Sequence, residues 1–179
     1  MKQKKKAIFT ALGGTTVALS TVLMMITVIL PVLMYIVPIL TGLLVLYMSD
    51  LAGKKWGIGV FFATAVLSLL LVSEKDAALS YTLIFGYYGL IKDAIEKLPK
   101  ALSWFVKILL YNVSAVCIGV LGIVLFGFSA EEYTELGKFT IPILLLMANA
   151  ALILYDLALT KYRLFLKALA EKTKKKLLI

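Results

Sequence analysis

Residues 54–92 read KKWGIGVFFATAVLSLLLVSEKDAALSYTLIFGYYGLIK, and this stretch decides the fold. Lys54 and Lys55 open it, and an uncharged run follows from Trp56 to Ser73. The knot Glu74-Lys75-Asp76 interrupts, and a second uncharged run from Ala77 to Ile91 is closed by Lys92. An apolar run of about 17–25 residues is what a helix needs to cross the hydrocarbon core of a bilayer. Charges confined to the ends of such runs mark the points where the chain meets water.

The same punctuation repeats in both directions. Upstream, a first run covers residues 7–30, Pro31 marks a tight turn, and a second covers 32–49 before Asp50 and the lysines at 54 and 55. The third and fourth runs are residues 56–73 and 77–91. The fourth is expected to continue as a cytoplasmic arm, in which Lys92, Asp93, Glu96 and Lys97 pair at i,i+3 and i,i+4 before Pro99 stops the helix. Downstream, residues 101–128 and 139–160 are the fifth and sixth, separated by the acidic stretch Glu131-Glu132-Tyr133-Thr134-Glu135. Residues 161–179 form a basic amphipathic tail, with Leu164, Phe165, Leu169 and Leu177 placed to lie on the membrane surface. The expected fold is an all-α membrane protein, a six-helix transmembrane bundle forming one integral membrane domain over residues 1–179.

Composition agrees and excludes several classes of function. Hydrophobic residues make up 62% of the 179, so six spans with short loops use nearly the whole chain. The net charge of +9 comes from basic residues flanking apolar runs, where anionic lipid and topology account for them without nucleic acid. The lone Cys117 sits in an apolar run, which removes any disulfide framework or Cys-based metal motif. Histidine is absent, and with it the commonest metal ligand and general base. No phosphate loop and no nucleophile–base pairing is present, so the chain reads as non-enzymatic, without cofactor or metal. The basic start, Lys2 to Lys6, resembles a signal peptide, but its apolar run far exceeds the about 7–15 residues of a signal core and is read as a retained span.

Orientation follows from the lysines and arginines. With the N-terminus inside, Lys2, Lys4, Lys5, Lys6, Lys54, Lys55, Lys92, Lys97, Lys100, Arg163 and the C-terminal lysines fall on the cytoplasmic side, and only Lys75 and Lys138 fall outside. Both termini are therefore expected in the cytoplasm of a bacterial cell whose plasma membrane the chain crosses several times.

Within the spans, small and polar residues carry what functional signal there is. Ala7, Ala11, Gly14 and Ala18 share one helical face, and Gly59 and Ala63 repeat the spacing. Such stripes let helix backbones approach, either within the bundle or against a partner helix. Asn112 and Asn149 lie near the middle of the fifth and sixth runs, as contacts for a polar solute or as an interhelical hydrogen bond. Lys107 and Asp156, towards the cytoplasmic ends of those runs, suit a structural ion pair or, alternatively, a proton relay. Tyr81, Tyr87, Tyr88 and Tyr111 can line a solute cavity, and Gly86 and Gly89 around Tyr87 and Tyr88 allow close helix approach or a local distortion. Trp56, Trp104, Tyr133 and Tyr162 fall at the membrane interfaces, where aromatic belts are expected.

The run from Glu74 to Tyr81, then Phe85-Gly86-Tyr87-Tyr88-Gly89-Leu90-Ile91-Lys92, Glu96, and WFVKILLYN from Trp104 to Asn112, resembles an uncharacterised group of Gram-positive membrane proteins similar to the substrate-binding S components of energy-coupling factor (ECF) transporters. The similarity spans about residues 7–126 and is sharpest between Glu74 and Asn112. It implies a pocket open to the outer side that takes a small solute such as a vitamin or micronutrient. It also implies a small-residue face on the first helix that docks on a transmembrane coupling subunit driven by two ATPase subunits. Ala7, Ala11 and Ala18 match the docking role; Asn112, Tyr81 and Asn149 are positions assigned to the pocket. A non-transport membrane scaffold is the alternative.

Overall fold

The computed structural model describes residues 2–127 and 140–178, and within them the chain is helical with no strand. The acidic stretch at 131–135, Tyr133, Lys138 and the junctions at 128 and 139 lie outside the described residues. Among the described residues, four helices are long and apolar enough to cross a membrane, over Gln3–Ile26, Lys54–Leu71, Lys100–Phe126 and Leu145–Lys176. Large apolar side chains along them point outward, Leu70, Val124 and Leu146 each being more than 70% exposed. Helices with apolar exteriors of this length are those of a membrane protein.

The helices are α1 (Lys2–Ile26), α2 (Ile36–Ala52), α3 (Lys54–Leu71), α4 (Lys75–Ser80), α5 (Gly86–Ile95), α6 (Lys100–Phe126) and α7 (Thr140–Leu178). They form two compact units, one of Met1–Ile91 with Lys161–Ile179, the other of Lys92–Thr160.

In the first unit, α1 begins within the lysines, which are good helix formers, and ends before a 3-10 turn over Pro31–Met34. Pro38 falls in the first turn of α2, where its missing N–H leaves no intrahelical bond unmade. A single residue, Gly53, joins α2 to α3 at φ +107°, a conformation that favours glycine. One turn on, a Cβ at Gly57 would lie 2.6 Å from the Ser49 Cβ, so glycine sets how closely α2 and α3 approach. Gly13 of α1 faces Trp56, Val60 and Met48, and the Phe9 and Trp56 rings lie 6.3 Å apart, so α1 runs beside α3 in parallel register. Val45, Met48, Leu51, Val60, Ala78 and Tyr81 are among the side chains that fill the centre.

Between α4 and α5 the helix widens into a π-helical segment, Tyr81–Phe85, closed by the Gly86 N–H donating to the Tyr81 carbonyl. A Cβ at Gly86 would meet the Phe61 ring at 2.7 Å and the Tyr81 carbonyl oxygen at 2.8 Å, which reserves that position for glycine. At the first residue of α4, Lys75 Nζ donates to the carbonyls of Leu69 and Val72 at 2.9 and 2.7 Å, satisfying groups left open where α3 ends. The N-cap of α4 falls on Glu74, while Asp76 sits in the first turn, where its charge complements the helix dipole.

The C-terminal segment continues α7 without a break, because neither proline nor glycine occurs from Lys161 onward and the composition is rich in Leu, Lys, Ala and Glu. At about 1.5 Å per residue, its 39 residues extend about 58 Å, well beyond a hydrocarbon core of about 30 Å. Within the first unit its last turns lie against α2. Arg163 binds Asp50 at 2.7 Å, the Tyr47 hydroxyl meets Thr173 Oγ1 at 2.9 Å, and Ala170 enters the core. Leu164, Phe165 and Leu169 remain exposed.

In the second unit, α6 starts after Pro99 and ends at Gly127, which takes the left-handed conformation at φ +70° and donates its N–H to the Gly122 carbonyl.

Candidate functional site

Four charged side chains of the second unit meet in one cluster. Lys92 comes from the last turn of α5, Glu96 from the residue that follows α5, Lys107 from α6 and Asp156 from α7. Lys107 Nζ lies 2.9 Å from Asp156 Oδ2 and 3.1 Å from Glu96 Oε1. Lys92 Nζ is bonded to Asp156 Oδ1, lies 2.7 Å from Glu96 Oε1, and reaches the Asp156 main-chain carbonyl at 3.2 Å. Each carboxylate thus bridges both ammonium groups, and the cluster is neutral as a whole. The Trp104 ring adds a cation–π contact, its centroid 5.1 Å from Lys107 Nζ.

Burial explains why the pairing is complete. Lys92, Lys107 and Asp156 are 4%, 3% and 4% exposed, and a lone charge on an apolar helix is expensive to keep from water, by about 2.5–3.5 kcal/mol at a membrane centre. Glu96 is the outlet to solvent, with its side chain 40% exposed. Partial burial pushes its carboxyl up, but hydrogen bonds and charge from Lys92 and Lys107 outweigh this and hold it below the usual range.

A second polar contact joins the same two helices. Asn112 Nδ2 donates to Asn149 Oδ1 at 3.3 Å, and Asn149 Nδ2 donates back to Asn112 Oδ1 at 3.0 Å. Each amide also donates to the carbonyl four residues earlier, Ile108 and Leu145 respectively. Lys107 with Asp156 and Asn112 with Asn149 thus pin α6 and α7 at two successive levels of one antiparallel register. Tyr111, buried between those levels, completes the α6 face.

The remaining positions singled out in the sequence fall elsewhere. Tyr81, Tyr87 and Tyr88 belong to the first unit, where Tyr81 and Tyr88 are fully buried and Tyr87 stacks edge-on against Phe61 at 5.9 Å. Ala7, Ala11, Gly14 and Ala18 are all exposed, on the face of α1 opposite the buried Gly13, Ser20 and Met24. Gly59 and Ala63 of α3 are exposed too, and a Cβ at Gly14 or Gly59 would meet nothing within 4 Å.

Sequence reasoning paired Lys107 with Asp156, and set Lys92 and Glu96 to pair at i,i+4 on a cytoplasmic arm, but did not join the two pairs. The signal for Lys92 was its place at the end of an apolar run, one helical turn before a carboxylate. Among the described residues no three His, Cys, Asp or Glu side chains gather as a metal site requires. The two carboxylates of the cluster are already taken by lysines. Lys92, Glu96, Lys107 and Asp156 are thus all engaged with one another, which ties the end of α5 to α6 and α7 at this level.

The chain matches no protein-family profile, no curated protein and no solved structure.

Proposed function

We propose that the chain is a non-catalytic subunit of the bacterial plasma membrane, with six spans and both ends in the cytoplasm, that works by docking the small-residue face of α1 on a transmembrane partner. The observation that carries this is the exposure of Ala7, Ala11, Gly14 and Ala18 together, on the face of α1 turned from its own core. In lipid, apolar side chains gain nothing by leaving the acyl chains, so a face without bulk serves close backbone approach by another helix. Under the likeness to S components, that partner is an ECF-type coupling subunit with two ATPase subunits, and the work done is uptake of a small solute. The basic residues flanking the spans bind anionic lipid.

A second reading, a membrane assembly scaffold without transport, is favoured by the amides of Asn112 and Asn149, which are engaged with each other and with their own helices. Both readings share the docking face and differ in cargo.

The test is co-purification from the native membrane. Ala11→Trp is expected to abolish recovery of the partner while the protein stays folded, because position 11 is exposed. Recovery of ATPase subunits with the wild type supports the importer; recovery of other membrane proteins alone supports the scaffold. Unchanged recovery with Ala11→Trp removes docking through α1.

A further inference from the structure

Several hydroxyls of the first unit are satisfied locally. Thr21 donates to the Val17 carbonyl, Thr27 to Met24, Thr41 to Val37 and Pro38, and the half-buried Thr82 to Ala78. This back-bonding is how an apolar helix ordinarily accommodates a hydroxyl. Four hydroxyls depart from it. Ser20 of α1, Thr64 and Ser68 of α3, and Tyr81 at the start of the π-helical segment are each at 0% exposure, and none has a hydrogen-bond partner within the protein.

These four share one region of the unit. Thr64 and Ser68 are one turn apart on α3, and the Thr64 and Tyr81 side chains adjoin. The Phe61 and Tyr81 rings, with centroids 6.0 Å apart, fix the π segment against α3 at this level. Gly13 of α1 lies on Val60 of α3 in parallel register, and seven residues further along, two helical turns, Ser20 comes level with Thr64 to Ser68. The widened turn at Tyr81 is itself a common mark of functional sites in helices.

We infer that the α1–α3–π junction is a binding site for a small neutral hydroxylated molecule, water or a polyol, held by Ser20, Thr64, Ser68 and Tyr81. Neutrality follows from the surroundings: no Asp, Glu, Lys or Arg occurs from Ala7 to Ser49, from Trp56 to Ser73 or from Ala77 to Ile91, and the ammonium of Lys75 is engaged by the carbonyls of Leu69 and Val72 at the end of α3. A hydroxylated guest both donates and accepts, as four hydroxyls require, and a polar cavity with two to four partners is what holds a buried water. This site is independent of the docking face on α1, and its failure leaves that reading untouched.

The experiment is thermal unfolding of the full chain in detergent, with Tyr81→Phe, Ser20→Ala and their double variant. Each single change removes one oxygen and leaves the packing. An occupied site predicts that each lowers Tm by about 2–4 °C, and that the double variant falls no further than the worse single, since both hydroxyls hold one guest. An empty junction predicts the opposite sign, because deleting an unsatisfied hydroxyl is stabilising; a Tm raised or unchanged, or strictly additive losses, overturns the proposal. Native mass spectrometry then separates the two sources. A retained small mass that Tyr81→Phe loses identifies a polyol, and coupled Tm losses with no retained mass identify water.

Discussion

Asn112 and Asn149 bond reciprocally, each amide donating to the other's oxygen, at 3.3 and 3.0 Å. Together with the Lys107–Asp156 pair one level away on the same helices, this fixes the register of α6 on α7. Replacing Asn112 by Leu is expected to destabilise the protein by about 1–2 kcal/mol, the upper range for interhelical hydrogen bonds in lipid, because Asn149 is left with unmatched groups. The double variant Asn112→Leu/Asn149→Leu recovers most of that loss in thermal unfolding. If the amides serve a solute instead, the double variant shows no recovery.

Asp156 bridges two ammonium groups at 4% exposure, so Asp156→Asn leaves Lys92 and Lys107 sharing one carboxylate. The expected loss is about 3–5 kcal/mol, as when a buried ion pair loses one partner. Glu96→Gln, at a position 40% exposed, is expected to stay near or below about 1 kcal/mol. Urea or thermal unfolding of the two variants side by side checks the ranking, and equal losses would contradict it.

The folded-state pKa of Glu96 lies below its ordinary value of 4.5, so its contribution is fully present above that pH and is lost as pH falls through the lower folded value. Tm measured in steps from pH 6 down to pH 3 should fall more for the wild type than for Glu96→Gln. Parallel curves would mean that the carboxylate is not engaged by Lys92 and Lys107.

The fold was legible to the extent that charge placement controls it. The quoted stretch was read as two helices flanking Glu74-Lys75-Asp76, and α3 and the rod from Lys75 to Ile95 lie there, because in an apolar run the backbone can satisfy itself only as helix. Helix ends were less legible. α1 starts at Lys2 and α7 runs on to Leu178, since lysine-rich flanks are good helix formers and nothing in the hydropathy marks a stop. The π segment left no trace in composition, as one wider turn changes neither hydropathy nor charge. Among the candidate residues, Lys107 and Asp156 stood out because charges inside apolar runs need partners. Lys92 did not, because a lysine at the end of a run ordinarily reaches water by extending its side chain.

Glycines divide into two classes by what a methyl group would meet. Gly57→Ala and Gly86→Ala, with Cβ positions at 2.6 and 2.7 Å from their nearest neighbours, are expected to cost about 1–3 kcal/mol each through overpacking. Gly14→Ala, with open space at that point, is expected to keep or slightly raise stability through better helix propensity. Thermal unfolding of the three variants tests this, and a loss at Gly14 equal to that at Gly57 would mean that the α1 face is covered within the chain itself.

The most direct test of the central claim places a photo-crosslinking residue at Ala11 of the full chain in its native membrane, with Val124, an exposed apolar position on α6, as control. Docking through α1 predicts a discrete protein adduct from position 11 that disappears when Ala18→Trp is added, and only lipid adducts from position 124. Lipid adducts alone from position 11 would contradict it.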